Sequence, residues 1–278
     1  MKNVKIVADS SADTFVLDGI AYESVPLKIN TAEREYIDDE SLDLKQMVDD
    51  LSAYHGKSST SCPNSTEWLN SFGDAENIFV VTITASLSGS YNAACLAKKL
   101  YEEAHPDRRV YVINSLSTGP EMRLITEKLC ELISEGLEFD EVCEKIEKYM
   151  KKTGLLFVLQ SMKNLANNGR VSQVAAKMAG ILGIRALGKA SDRGDLEMLE
   201  KCRGEKRTLE SIVSQLKALG YNGGRLRIAH CFNEGAAAAL KEKVLAAYKS
   251  AEIAVYSCRG LCSFYAETGG LLIGFEKA

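Results

Sequence analysis

Two stretches of the chain set hydroxyl groups just ahead of an expected helix. One is Ser58-Ser59-Thr60-Ser61-Cys62-Pro63-Asn64-Ser65; the other, Thr84-Ala85-Ser86-Leu87-Ser88-Gly89-Ser90, directly follows the apolar run Ile78-Phe79-Val80-Val81. The start of a helix has unpaired N–H groups and the positive end of a dipole. Hydroxyls and a glycine beside it can therefore seat a small anion. The second stretch lacks the Gly-Lys-Ser/Thr ending of a nucleotide phosphate loop. Ser86 and Ser88 also lack the preceding glycine of a nucleophile elbow. Two readings stay open: a strand–turn–helix joint with Ser88 as the helix cap, or a seat for an anion or carboxylate. Thr60 and Ser61 carry the same ambiguity, and their case improves only if they meet Ser86 and Ser88 in space.

Other chemistry-bearing residues are sparser. Asp9, closing the first expected strand, could bind a metal or act as a base, but such a residue more often fixes a loop by hydrogen bonds. Asp38-Asp39-Glu40 reads as a solvated helix start. Arg170, after Asn167-Asn168-Gly169, is either a surface arginine by a turn or a partner-docking residue. His55, His105 and His230 form no HExxH arrangement. Cys258 and Cys262 lack the second pair that a zinc site needs. The eight cysteines are scattered, and the first residues read as a strand rather than a leader; reduced thiols and a cytoplasmic location are expected. A composition of 46% hydrophobic and 26% charged residues is that of a globular protein. The net charge of −4, without a basic block, argues against nucleic acid as a partner. No apolar run is long enough to span a bilayer, so stable membrane insertion is not expected.

These residues must be positioned by the elements around them. In the first half, strands are expected at 4–8, 22–29, 78–83 and 110–113, the second of them peripheral because Pro26 cannot donate to a ladder. Helices are expected at 42–54, from Asn64 (with Glu67 in capping-box spacing), and at 91–103, 121–134 and 139–151. Such alternation implies a parallel sheet covered on both faces. Ligands then bind along the edge shared by the carboxyl ends of the strands, so Asp9-Ser10-Ser11, Thr84-Ala85-Ser86 and Asn114-Ser115 should converge. After a break at 153–154, strands are expected at 155–159, 184–187, 196–199, 226–230 and 252–256, with helices at 207–219 and 234–247. The stretch 171–184 is small and apolar on more than one face, suited to a core or to lining an apolar tunnel. The expected fold is two α/β domains with a ligand between them: an N-terminal parallel sheet flanked by helices in 1–153, and a C-terminal mixed sheet in 154–278.

Taken in order, several segments resemble the DegV family of bacterial fatty-acid-binding proteins. They are Ile6-Val7-Ala8-Asp9-Ser10-Ser11, Val25-Pro26-Leu27, Thr60-Ser61-Cys62-Pro63, Ser86-Leu87-Ser88-Gly89-Ser90-Tyr91, Val112-Ile113-Asn114-Ser115, Gly169-Arg170-Val171-Ser172 and Thr268-Gly269. The resemblance implies one long acyl chain buried between two α/β domains, with no cofactor and no catalysis by the carrier itself. It places the carboxylate on Thr60, Ser61, Ser86, Ser88 and Gly89, with Asn114, Glu267 and Thr268 around it. It also implies a partner, a fatty acid kinase (DhaK/DhaL-like) that makes acyl-phosphate for phospholipid synthesis, with Arg170 facing it. Burying an alkyl chain of about 16 carbons at ~0.8 kcal/mol per CH₂ provides on the order of 10 kcal/mol before ordering costs.

The chain departs from the family pattern at three places. Cys62 replaces a glutamine, Asn114 an aspartate, and Glu267 the histidine of His-Thr-Gly-Pro-Gly. A glutamate there repels an ionised fatty acid unless it turns away or carries a proton. Two rivals follow: a binder of a different lipid or small anion, selected through Glu267, and a serine hydrolase or acyltransferase using Ser86 or Ser88. For the second, only the three histidines could serve as base.

Overall fold

The computed structural model describes residues 1–172 and 183–278. In chain order the first lobe holds β1 (Val4–Asp9), a turn of 3₁₀ helix (Ser10–Ala12), β2 (Ala21–Val25), β3 (Lys28–Asn30), β4 (Glu35–Ile37) and α1 (Leu44–Ala53). It continues with β5 (Ser59–Ser61), α2 (Ser65–Phe72), β6 (Asn77–Thr82), α3 (Ser90–Ala104), β7 (Arg109–Asn114), α4 (Gly119–Ser134) and α5 (Phe139–Met150). A four-stranded parallel sheet runs β2-β1-β6-β7. Its central strands are apolar on both faces because helices cover both. Ile6, Ala8, Phe79 and Val81 pack against Met122, Ile125 and Leu129 of α4 and Val142 and Ile146 of α5. Val7, Ile78 and Val80 pack on the other side against Trp68 and Phe72 of α2 and Ala94 and Ala97 of α3. The capping box of α2 is present: Asn64 Oδ1 accepts from the N–H groups of Thr66 and Glu67, and Glu67 Oε2 accepts from Asn64 N–H at 2.8 Å.

The single strand expected at 22–29 is divided at Pro26. Lacking an N–H, proline cannot continue the ladder, and the chain passes from β2 into β3, which belongs to another sheet. That small antiparallel sheet has the order β4-β3-β5 and pairs Ile29 with Thr60 and Lys28 with Ser61. Thr60 and Ser61 thus lie on a short strand, held by a ladder, and not on a loose approach to a helix.

The second lobe contains β8 (Thr153–Leu159), α6 (Lys163–Asn167), β9 (Ile184–Ala190), β10 (Leu196–Arg203), α7 (Glu205–Ala218) and β11 (Tyr221–His230). It ends with α8 (Glu234–Ala247), β12 (Glu252–Ser257), α9 (Gly260–Ala266) and β13 (Leu271–Lys277). Its six-stranded sheet, β10-β9-β8-β13-β11-β12, is mixed: β11 and β12 are parallel, and the other pairs antiparallel. One face buries Leu156, Val158, Leu187 and Ile273 against Ile212 of α7 and Leu240 of α8. The other face carries Leu155, Phe157, Leu159 and Leu272 toward the first lobe, together with Cys262 and Ala266 of α9. The small apolar stretch 171–184, expected to form core or line a tunnel, lies almost wholly outside the described residues.

The short α9 was not anticipated from the sequence, and it joins the lobes. Leu261 enters the core of the first lobe, Cys262 and Ala266 that of the second, and Phe264 packs with Ile29, Tyr36 and Met47. Three successive N–H groups at its start, which no intrahelical carbonyl can satisfy, donate to carboxylates of the first lobe. Arg259 N–H donates to Asp13 Oδ1 at 2.8 Å, Gly260 N–H to Asp38 Oδ1 at 2.7 Å, and Leu261 N–H to Asp38 Oδ2 at 2.9 Å. This corrects the reading of 38–40 as a solvated helix start: Asp38 is fully buried. The apparent helix start is a turn whose first carboxylate serves a helix more than two hundred residues away in sequence.

Replacing Asp38 by alanine leaves two buried donors unpaired, at about 1–3 kcal/mol each. Urea unfolding of Asp38→Ala should therefore show a loss of about 3 kcal/mol, with Asp38→Asn losing less. Asp13 gives a pH signature. Burial pushes its carboxyl up to about 7, with the nearby charge of Asp38 adding to the rise. The folded state then holds this proton more tightly than the unfolded chain between about pH 4 and 7, so the group's contribution falls as pH rises through that window. Asp13→Asn keeps the acceptor for Arg259, and its amide replaces an oxygen, Oδ2, that has no partner among the described residues. The stability gap should widen in favour of Asp13→Asn from pH 4 to pH 7; parallel pH profiles would contradict this assignment.

Candidate functional site

The carboxyl ends of β1, β6 and β7 are tied to one another. Asp9, fully buried, accepts from the hydroxyls of Ser11 and Ser90 and from Ile83 N–H at 2.9 Å. Burial raises its pKa, opposed by these donors. This is the loop-fixing role. Asn114 Oδ1 accepts from Ala85 N–H at 3.1 Å and Leu116 N–H at 3.3 Å, and Thr84 N–H donates to Ser117 O at 2.8 Å. The loop 83–89 is thereby held in place over the sheet edge. Gly89, not Ser88, stands at the cap position of α3, while Ser88 Oγ accepts from Ser90 N–H at 3.2 Å.

The two hydroxyl clusters meet. A Cβ on Gly89 would stand 3.2 Å from Cys62 Sγ, so the loop backbone passes directly over the end of β5. Between the lobes lies a cavity of ≈ 290 Å³ whose described wall includes Thr60, Ser61, Cys62, Ser88 and Gly89. Thr118 and Tyr265 add hydroxyls, and Thr60 Oγ1 lies 2.7 Å from the Tyr265 phenol. The remaining wall is chiefly hydrocarbon, with Leu27, Ile83 and Leu261 from one side and Leu155, Phe157, Leu159 and Leu272 from the other. These apolar residues are buried, whereas Ser61 and Gly89 are exposed. The cavity is thus greasy inside and polar where it reaches water.

Arg170 lines the same cavity. Its Nε donates to Leu87 O at 3.1 Å, its Nη1 to Asn168 O, and its guanidinium lies 5.9 Å from the Tyr265 ring centre. Among the described residues no carboxylate pairs with it. Ser86, Asn114, Glu267 and Thr268 are not in the described wall. Ser86 is exposed and donates its only hydroxyl proton to Arg193 O at 2.7 Å. Asn114 is occupied by the loop. Glu267, at φ +54°, points its carboxylate to the start of α6, where Oε1 accepts from Asn164 N–H at 3.1 Å. Thr268 is exposed beside it. Tyr265, Thr118 and Phe157 were not singled out from the sequence; Tyr265 carried no signal because α9 itself was unanticipated.

Of the histidines, none lines the cavity among the described residues, and none hydrogen-bonds Ser86 or Ser88. The tip of the β9–β10 hairpin rests on the 83–89 loop. Gly194 is buried there, at φ +81°, and a Cβ on it would come within 2.0 Å of Thr84 Oγ1.

Comparison with known proteins agrees with this architecture. A DegV domain-containing protein of Streptococcus pneumoniae is 46% identical over 276 residues, 98% of each chain. Among solved structures, a DegV family protein from Eubacterium eligens loaded with heptadecanoic acid is 46% identical, with a TM-score of 0.97 covering 99% of this chain and 100% of that one. The Streptococcus pneumoniae Fatty Acid Kinase (Fak) B3 protein loaded with linoleic acid is 45% identical, with a TM-score of 0.98 over the same shares. A model of the DegV family of uncharacterised proteins matches residues 3–277, and the chain belongs to that family.

Proposed function

We propose that this protein binds one long-chain fatty acid between its lobes, divided at 153–154, and presents it to a fatty acid kinase (DhaK/DhaL-like) without itself doing chemistry. The observation that carries this reading is the meeting of both hydroxyl clusters on the open side of a buried apolar cavity. Burial of the alkyl chain supplies the affinity. Thr60, Ser61, Ser88 and the backbone at Gly89 take the carboxylate, and Arg170 supplies a cation in the same wall. A carboxylate needs only a few donors, and charge-assisted ones are the stronger. Ser86 and Asn114 serve by shaping the loop. Glu267 turns away, which removes the repulsion that a glutamate at the seat would cause.

The kinase follows from likeness to the Fatty Acid Kinase (Fak) B3 protein, and a head group at the exposed side is where a phosphoryl donor could reach it. Arg170, half-buried at that side, can face the ligand inward and the kinase outward. A hydrolase would need a base within hydrogen-bond reach of its serine, and the histidine positions lend that reading no support.

Lipid extracted from the purified protein and examined by mass spectrometry should contain free long-chain fatty acid at one per chain. Thr60→Val combined with Ser88→Ala should weaken displacement of a fluorescent fatty acid by about tenfold, one to two hydrogen bonds' worth. Absence of any acyl species, with no uptake of added palmitate or oleate, would falsify the reading.

A further inference from the structure

The hydrocarbon wall has one unusual pairing. In the second sheet Phe157 of β8 stands directly opposite Gly188 of β9. A Cβ built on Gly188 would lie 2.2 Å from Phe157 Cζ and 2.6 Å from Cε2. The ring therefore lies across the glycine, in the space that any other residue's side chain would fill. Successive side chains on a strand alternate between faces, so Ala186, Gly188 and Ala190 share one side of β9. This row of small residues forms a shallow trough beside the cavity. Phe157 is buried and also belongs to the cavity wall, between Leu155 and Leu159 on the same face of β8.

We propose that the Phe157–Gly188 pair is the length gauge of the cavity: the ring, parked in the trough of β9, sets how many methylenes the hydrocarbon wall accepts. The inference rests on the fatty-acid reading above and goes beyond it by naming the residues that choose among chain lengths. A close-packed interior responds to changes of a single methylene. Here one large side chain of the wall is an aromatic ring whose position depends on a missing Cβ. Tyr265, the other ring in the described wall, is held at the polar side by Thr60. Replacing Phe157 by leucine removes ring volume and opens space next to β9. Replacing it by tryptophan overfills the trough and drives the larger ring into the cavity. Substituting Gly188 itself is the poorer probe, because its Cβ would also come within 2.5 Å of the backbone oxygen of Glu197.

The test is displacement of a fluorescent fatty acid by a ladder of saturated fatty acids of increasing length, using the full chain, Phe157→Leu, Phe157→Met and Phe157→Trp. Phe157→Leu and Phe157→Met should move the tightest-binding length upward. Each added methylene should gain about fourfold in affinity where the unmodified protein gains nothing, the equivalent of ~0.8 kcal/mol. Phe157→Trp should move the optimum downward. If Phe157→Trp does not fold, the two smaller variants decide the matter alone. An unmoved optimum in the folded variants, with fatty acid still bound, overturns the gauge and leaves the fatty-acid reading intact. Failure of the unmodified protein to bind any member of the ladder overturns the parent reading and the gauge with it.

Discussion

The α9 side of the cavity depends on one electrostatic joint between the lobes: buried carboxylates from the start of the chain seated on the unpaired N–H groups that open α9 near its end, apart from the Arg225–Glu131 and Arg227–Glu127 pairs that cross from α4 to β11. Neither partner is tolerable alone. Three amide donors without acceptors, or two carboxylates without donors, are costly in an apolar interior. Arg259 adds to the joint, donating through Nη2 to Asp39 O at 3.1 Å, with its guanidinium 4.4 Å over the Phe15 ring. The joint settles where α9 lies, and α9 in turn delivers Leu261, Cys262, Tyr265 and Ala266 to the cavity wall. The cavity therefore depends on contacts between residues that sequence order keeps far apart.

A second buried carboxylate system does the same for the polar side. Asp9 collects the end of β6 and the first hydroxyl of α3, so the 83–89 loop is a rigid ledge and not a tether. The ledge can then place Ser88 and Gly89 opposite β5, where Ser88 Oγ takes one local N–H, from Ser90, and keeps its own hydroxyl proton to donate. The division of labour is physical: fully buried groups fix the frame, and half-exposed hydroxyls remain to meet a ligand.

Much of this was legible from residue pattern. Apolar runs at 78–81 and 155–159 marked central strands, and the Asn64–Glu67 spacing marked the start of α2. The small polar residues at three strand ends correctly pointed to one shared edge. What escaped was whatever depended on contacts remote in sequence. Asp38 sits among other acids and reads as solvated, because nothing nearby announces that Gly260 and Leu261 will need acceptors. α9 has only seven residues, too short for a periodic signature, and Tyr265 was hidden with it. Thr60 and Ser61 read as a helix approach because a three-residue strand exists only through its partner β3. Ser86 had the right chemistry for a seat, yet its proton goes to a carbonyl in the other half of the chain.

That last contact has a mechanical side. The β9–β10 turn presses a side-chain-free residue, Gly194, into the ledge, and Leu196, two residues further, is part of the greasy wall. The turn is therefore a buckle whose tongue and lining are the same few residues. The Ser86 bond and the position of Leu196 are coupled through one short turn, so a displacement of that turn as a unit would disturb the polar ledge and the hydrocarbon wall together.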